Sequence, residues 1–207
     1  MTILSVNKTR DFDGRSFLRP FFALGWVRLR PFFIFEGDTM RKKTRFLAYG
    51  ALLAALYVAL TYLQNFLIPN STNWAIQFRA SEALCVLALF TPAAIPGLTI
   101  GCLLFNISSA GALPLDFLVG SLATAFATGG MYLTRKCQLG GYPLLALLLP
   151  GIFNGLLVGW ELSVYIGGGF WLNCLYVAIG ETAVLLTLGC ALLYAIRGRG
   201  LDQRLFG

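Results

Sequence analysis

Long apolar stretches, separated by short polar or basic segments, run through the chain from residue 46 onward. We predict helices within or across a membrane at residues 46–68, 79–90, 92–107, 115–133, 142–162 and 170–196. Several stretches reach about 20 residues, the length that an α-helix needs to cross the hydrocarbon core of a bilayer. Pro92 and Pro96 separate the second stretch from the third, because proline breaks the helical hydrogen-bond ladder. The pattern predicts an all-α integral membrane protein, a bundle of about six transmembrane helices.

The composition agrees with a membrane protein. Hydrophobic residues make up 57% of the chain and charged residues only 12%. Soluble domains usually carry about 25% charged residues, so the low fraction favours the bilayer as solvent. The net charge of +7 does not indicate nucleic-acid binding, because the basic residues cluster at the ends of apolar stretches.

Two residue types limit the chemistry. His is absent, which removes the commonest metal ligand and the commonest general base. The five Cys form no CxxC pair and are interpreted as small apolar side chains. We therefore predict that the chain is not an enzyme and holds no metal and no cofactor. An intramembrane enzyme that works with carboxylates alone is the alternative from a different class.

The basic residues predict the orientation of the spans, because cytoplasmic loops carry an excess of Lys and Arg. With six spans, residues 41–45, 135–136 and 197–204 all fall in the cytoplasm. The outer loops then contain no Lys or Arg except Arg79, at a membrane edge. A single helix in place of the second and third stretches would move the later basic segments outside. Charge placement therefore favours six spans, with both termini in the cytoplasm.

Residues 1–39 differ from the rest of the chain, because Arg residues interrupt their short apolar pieces. No uncharged stretch there is long enough to span, and no small-residue cleavage site indicates a signal peptide. Our hypothesis is that Met40 is the natural start and that residues 1–39 are a poorly structured or mis-called extension. An amphipathic arm on the membrane surface is the alternative. The six-helix substrate-binding domain is predicted at residues 40–207.

Ionisable residues inside membrane spans are costly and usually functional. Here they are Arg79, Glu82, Asp116, Glu161 and Glu181. The first four lie at the outer ends of predicted spans, whereas Glu181 lies roughly 16 Å deep at 1.5 Å per residue. This distribution predicts a pocket open to the exterior.

Structural explanations exist for four of the five. Arg79 and Glu82, three residues apart on a helix, would form an ion pair. Asp116 would cap a helix N-terminus, and Glu161 would be solvated at the membrane interface. Glu181 has no such explanation, since a lone carboxylate in mid-membrane needs a partner or a ligand.

Amide side chains extend the candidate site. Asn106, Asn154 and Asn173 lie within predicted spans, and the seven-residue spacing of Asn154 and Glu161 stacks them on one helix face. Amides and carboxylates together bind the donor and acceptor edge of a heterocycle. The predicted substrate-binding residues are Arg79, Glu82, Asn106, Asp116, Asn154, Glu161 and Glu181.

Small residues form a stripe on the first span. Ala51, Ala55 and Ala59 recur at intervals of four, a spacing that lets helices approach closely. The spacing does not distinguish packing within the bundle from contact with another subunit.

Five motifs in this order resemble the QueT family: Gln77–Leu84, Phe90–Leu98, Ile100–Asn106, Asp116 with Gly120–Thr124, and Asn154 with Gly159–Leu162. The resemblance covers about residues 40–197. It implies the substrate-binding S component of an energy-coupling factor transporter in a bacterial cell membrane. Such six-helix subunits capture a vitamin-like solute outside and work with a transmembrane coupling protein and two cytoplasmic ATPases.

The resemblance also implies a solute and a partner contact. The family's proposed substrate is a queuosine precursor, a deazaguanine base with an aminomethyl group. Its ring N–H donors and its cationic amine suit a site rich in carboxylates. An alanine-spaced first helix usually contacts the coupling subunit, and Ala51, Ala55 and Ala59 match it. The chain has no G-x-x-x-x-G-K-[ST] loop, so ATP is expected to be used by the partner ATPases.

Two alternatives remain within transport. The first is an S component for another solute, because a few changes in a pocket switch specificity. The second is an autonomous proton-coupled transporter, although no convincing internal repeat supports that architecture.

Overall fold

The computed structural model describes residues 38–69, 78–109, 112–140 and 142–201 of the chain. Contacts divide the chain into Met1–Met40 and Arg41–Gly207, and all side-chain contacts below lie in the second unit. Residues 1–37 lie outside the described residues. The hypothesis of an extension over residues 1–39 therefore stays a prediction.

Helices form nearly all of the described part of the chain. They are α1 (Asp38–Leu67), a 3-10 helix (Ala80–Leu89), α2 (Ala94–Ser108), α3 (Asp116–Thr134), α4 (Leu144–Tyr165), α5 (Phe170–Val184), a π-helical turn (Leu185–Gly189) and α6 (Cys190–Gly198). The last three run on as one helical stretch. The described residues contain no strand, only an isolated bridge between Leu139 and Tyr142. The prediction of an all-α fold is confirmed.

Four helical stretches are long and apolar enough to cross a membrane: Arg41–Leu67, Asp116–Thr134, Leu144–Tyr165 and Phe170–Gly198. The other two apolar helices, Ala80–Leu89 and Ala94–Ser108, are shorter. Large apolar side chains cover the outside of the bundle; Leu133 and Tyr194, for example, are 79% and 81% exposed. Several membrane spans are thus supported, whereas a total of six stays a prediction.

Close contacts fix the directions of the first three segments. Gly97 of α2 approaches Gly50 near the start of α1, and Tyr62 Oη lies 2.7 Å from Ser108 Oγ near the ends of both helices. Helices α1 and α2 therefore run in the same direction. The 3-10 helix between them runs the opposite way, because its first turn contacts the C-terminal half of α1 through Ser81 and Thr61.

The later segments alternate in the same manner. A Cβ on Gly130 of α3 would lie 3.0 Å from Leu149 of α4, and one on Gly159 of α4 would lie 2.7 Å from Cys174 of α5. The turn between α4 and α5 contains Gly167 at φ 87°, a left-handed conformation that favours glycine. The basic segments at the start of α1, the end of α3 and the end of α6 consequently lie at one end of the bundle, as the charge placement predicts.

The 3-10 helix lies in the core of the bundle. Its residues from Ser81 to Leu89 are all buried, and α1, α2, α3 and the π-helical turn surround it. A 3-10 helix rises about 2.0 Å per residue instead of 1.5 Å. Ten residues thereby extend about 20 Å rather than 15 Å through the bundle.

Candidate solute site

Arg79 lies at the centre of the candidate site, just before the 3-10 helix. Its side chain is buried, its Nη1 lies 4.0 Å from Cys102 Sγ, and its Nε has no hydrogen-bond partner within the described part of the chain. The guanidinium interacts electrostatically with all four predicted carboxylates: Glu82, Asp116, Glu161 and Glu181. The structure thus brings the five predicted ionisable residues into one cluster.

Glu82 is held by the protein itself. Its Oε1 accepts a hydrogen bond from the hydroxyl of Tyr57, and its Oε2 accepts one from Cys85 Sγ at 3.1 Å. The carboxylate is buried with a donor on each oxygen. Glu82 therefore does more than form the ion pair with Arg79 that is the alternative from the sequence.

Asp116 combines a place in the cluster with a structural role. It is the first residue of α3, one position after the N-cap Leu115. Its Oδ2 accepts a hydrogen bond from the backbone N–H of Leu113 at 3.0 Å, and its carbonyl oxygen accepts one from Asn106 Nδ2 at 2.8 Å. The alternative of a helix N-cap is wrong, because Leu115 holds that position without a side-chain cap; the carboxylate instead orders the turn that leads into α3.

Glu161 is the least satisfied acid in the cluster. Its side chain is 0% exposed, and neither carboxyl oxygen has a hydrogen-bond partner among the described residues. Its electrostatic neighbours are Arg79 and the carboxyl group of Asp116, which hydrogen-bonds to Glu161 when one of the two acids is protonated. The alternative of a solvated carboxylate at the membrane interface is wrong, since the side chain is enclosed by the bundle.

Glu181 reaches the cluster from α5. It is buried, its Oε2 has no hydrogen-bond partner among the residues that the structure describes, and it interacts electrostatically with Glu82 and Arg79. The π-helical turn begins four residues later, and the N–H of Leu185 is shared between the carbonyl oxygens of Glu181 and Thr182. A π-helical turn inside an α-helix is frequent at functional sites.

The two amides predicted for the site are both buried with an unpartnered atom. Within residues 38–69, 78–109, 112–140 and 142–201, Asn106 has no hydrogen-bond partner for Oδ1 and Asn154 has none for Nδ2. Asn154 lies on the buried face of α4 that also carries Glu161. Asn173 has a different role: its Nδ2 donates to Ser163 Oγ and to the carbonyl oxygen of Gly167, both at 3.1 Å. It orders the turn between α4 and α5.

The unpartnered buried atoms define what the cluster is able to bind. Two are donors and four are acceptors: Arg79 Nε, Asn154 Nδ2, Asn106 Oδ1, Glu161 Oε1, Glu161 Oε2 and Glu181 Oε2. A buried polar atom without a partner costs about 1–3 kcal/mol, so a solute with matching donors and acceptors would gain that energy on binding. Within the described residues no group of three or more His, Cys, Asp or Glu side chains is arranged to hold a metal ion.

Tyr57 is the site residue that sequence reasoning missed. It is fully buried, and Thr61 and Gln64 follow it on the same buried face of α1. The spacing of these three polar groups, at i, i+4 and i+7, is typical of a helix face turned toward a polar interior. Cys85 and Cys102, interpreted as apolar side chains, also contact the cluster.

The predicted partner-contact residues lie on the opposite side of α1. Ala51, Ala55 and Ala59 are exposed and line an apolar groove of about 700 Å³ between α1 and α2. These three alanines therefore do not pack within the bundle, which was the alternative to contact with another subunit. Its contact with a partner subunit stays a prediction.

Comparison with known proteins adds one result. A family model described as the QueT transporter matches residues 47–198, which is well over half of the chain and includes every predicted site residue. No match was found among curated proteins or solved structures.

Proposed function

The chain belongs to the QueT transporter family of membrane proteins, and on that premise we propose that it is the substrate-binding S component of an energy-coupling factor importer. It captures a queuosine precursor, an aminomethyl-deazaguanine, from outside a bacterial cell. The observation that supports this proposal is the cluster, among the described residues, of four buried carboxyl groups around the guanidinium of Arg79.

The charge balance of the cluster favours a cation. Four carboxyl groups face one guanidinium, and a buried site with excess negative charge gains from a cationic ligand. The aminomethyl group supplies that charge. Glu161 and Glu181 are the carboxylates with unpartnered oxygens, so they are the ones we assign to the solute.

The unpartnered amides complement the ring. A deazaguanine has adjacent N–H donors and a carbonyl acceptor on one edge. Asn106 Oδ1 accepts from the donors, and Asn154 Nδ2 or Arg79 Nε donates to the carbonyl oxygen. Arg79, Glu82 and Asp116 complete the charge balance around it.

Energy for import comes from other subunits in this proposal. A transmembrane coupling protein and two cytoplasmic ATPases supply it, and ATP is bound by the ATPases alone. The exposed alanine stripe and its groove are the contact that we assign to the coupling protein. In this proposal the basic end of the bundle faces the cytoplasm, and both termini are expected there.

Solute binding tests the proposal directly. The purified full-length chain in lipid nanodiscs is titrated calorimetrically with aminomethyl-deazaguanine, with unsubstituted deazaguanine and with anionic vitamins. We expect the aminomethyl compound to bind at least tenfold more tightly than the others, about 1.4 kcal/mol. Tighter binding of an anionic vitamin would refute the assignment of the solute. Uptake into proteoliposomes by this chain alone would instead support an autonomous transporter.

A further inference from the structure

Tyr57 contacts the charged cluster from α1, although no residue of α1 is assigned to solute binding. It is the largest of the fully buried side chains. Its hydroxyl donates to Glu82 Oε1 at 2.5 Å. A hydrogen bond to a carboxylate is charge-assisted and about twice as strong as a neutral one.

The position of Tyr57 is restrained where α1 packs against α2. On the side of α2, a Cβ on Gly101 would lie 2.8 Å from Tyr57 Cβ, so only glycine allows this approach. The phenol has little room to leave Glu82.

Three residues on this face of α1 form hydrogen bonds to the segment around the 3-10 helix: Tyr57, Thr61 and Gln64. Gln64 bonds to the backbone at Phe78 and Ala80. Thr61 Oγ1 bonds to Ser81 Oγ at 2.8 Å. Of these contacts, only that of Tyr57 reaches a carboxylate. Thr61 therefore provides a matched control, with the same two elements but no acidic partner.

Tyr57 and Cys85 together occupy both oxygens of Glu82. Glu82 is thereby kept as the resident counter-charge of Arg79, which also interacts electrostatically with Tyr57. Because Glu82 balances the positive charge of Arg79, the unpartnered oxygens of Glu161 and Glu181 remain available to bind a cation.

We propose that Tyr57 is a positioning residue of the solute site, which holds Glu82 beside Arg79 and so sets the preference for a cationic over a neutral solute. This inference rests on the proposed function. Without the hydroxyl, one oxygen of the buried Glu82 loses its donor, and the negative charge that balances Arg79 is less well stabilised. The guanidinium then opposes the cationic amine of the solute.

The test compares Tyr57→Phe with Thr61→Val in the full-length chain in nanodiscs. Each variant is titrated with aminomethyl-deazaguanine and with unsubstituted, neutral deazaguanine. For Tyr57→Phe we expect the affinity for the cationic compound to fall about tenfold while that for the neutral compound changes less than about threefold. Thr61→Val should leave the ratio of the two affinities unchanged.

Cys85→Ala removes the other donor to Glu82 and should also lower the ratio of the affinity for the cationic compound to that for the neutral one. This second variant serves as the test if Tyr57→Phe does not fold. An equal loss for both compounds, or no loss, would overturn the positioning role and leave the proposed function standing. If the wild-type chain binds neither deazaguanine, the proposed function fails and this inference fails with it.

Discussion

Gly97 of α2 packs directly against the backbone of Gly50 in α1. A Cβ added to Gly97 would lie 2.6 Å from the carbonyl oxygen of Gly50 and 3.0 Å from its Cα. These distances are too short for any side chain, because the neighbouring atoms belong to a helix backbone. The contact brings α1 and α2 together at the base of the alanine-lined groove.

Replacement of Gly97 by Ala should therefore destabilise the bundle. We expect a loss of about 1–3 kcal/mol, as for other overpacked interiors, seen as a lower midpoint of thermal unfolding in detergent. Gly129→Ala in α3 is the control, because a Cβ there meets no atom within 4 Å and Ala favours the helix over Gly. Equal midpoints for the two variants would contradict the packing described for α1 and α2.

Glu181→Gln tests the deepest acid of the cluster. The amide keeps the size of the side chain but removes the charge, and no described residue bonds to Oε2 and would compensate. We expect affinity for aminomethyl-deazaguanine to fall at least tenfold, about 1.4 kcal/mol. Thr187→Val is the control from the same helical stretch, since its hydroxyl bonds only to backbone carbonyl oxygens of its own helix. Unchanged affinity in Glu181→Gln would remove this residue from the site.

Glu161→Gln and Asp116→Asn should differ in effect, although the two acids are neighbours. Both oxygens of Glu161 are unpartnered, whereas one oxygen of Asp116 binds the N–H of Leu113. We expect the Glu161 variant to lose more affinity for the cationic solute, and the Asp116 variant to lose more thermal stability. Calorimetric titration and thermal unfolding of both proteins measure the two effects. The reverse order would show that Asp116 is the main contact to the solute.

Ala55→Trp tests the proposed partner contact on α1. A Trp side chain would fill the groove between α1 and α2, so we expect loss of co-purification with the coupling protein and the ATPases. Solute binding by the isolated chain should stay within about twofold, because Ala55 faces away from the buried site. Leu122→Trp, at a side chain 44% exposed on α3, is the control. A complex that survives Ala55→Trp but not Leu122→Trp would place the partner on the other face.

The sequence predicted the arrangement of the bundle because charge and hydropathy act on whole segments. The basic residues at 41–45, 135–136 and 197–199 lie at one end, and every predicted span is helical. The type of helix was not predictable in two places. Neighbours enclose the 3-10 helix Ala80–Leu89 in the core, and the π-helical turn at Leu185–Gly189 interrupts a run that the sequence predicts as one continuous helix.

The membership of the site was largely predictable, but the roles of its residues were not. Ionisable and amide groups inside apolar stretches must be buried together or bound to something, and all seven predicted residues are buried. Tertiary contacts decide which acid accepts a hydrogen bond from the protein. Glu82 accepts one from Tyr57, whereas Glu161 accepts none from the described residues. Tyr57 was overlooked because a phenol in an apolar run resembles any other large side chain.

The 3-10 winding has a consequence for the length of its segment. With 3.0 residues per turn, side chains three apart lie directly above one another, so Glu82, Cys85 and Ala88 form a straight column along Ala80–Leu89. One residue inserted between Glu82 and Cys85 would rotate the upper part of the column by about 120° against the lower and separate the thiol from the acid. In this segment, therefore, only insertions or deletions of three residues keep the following side chains on the same face of the helix.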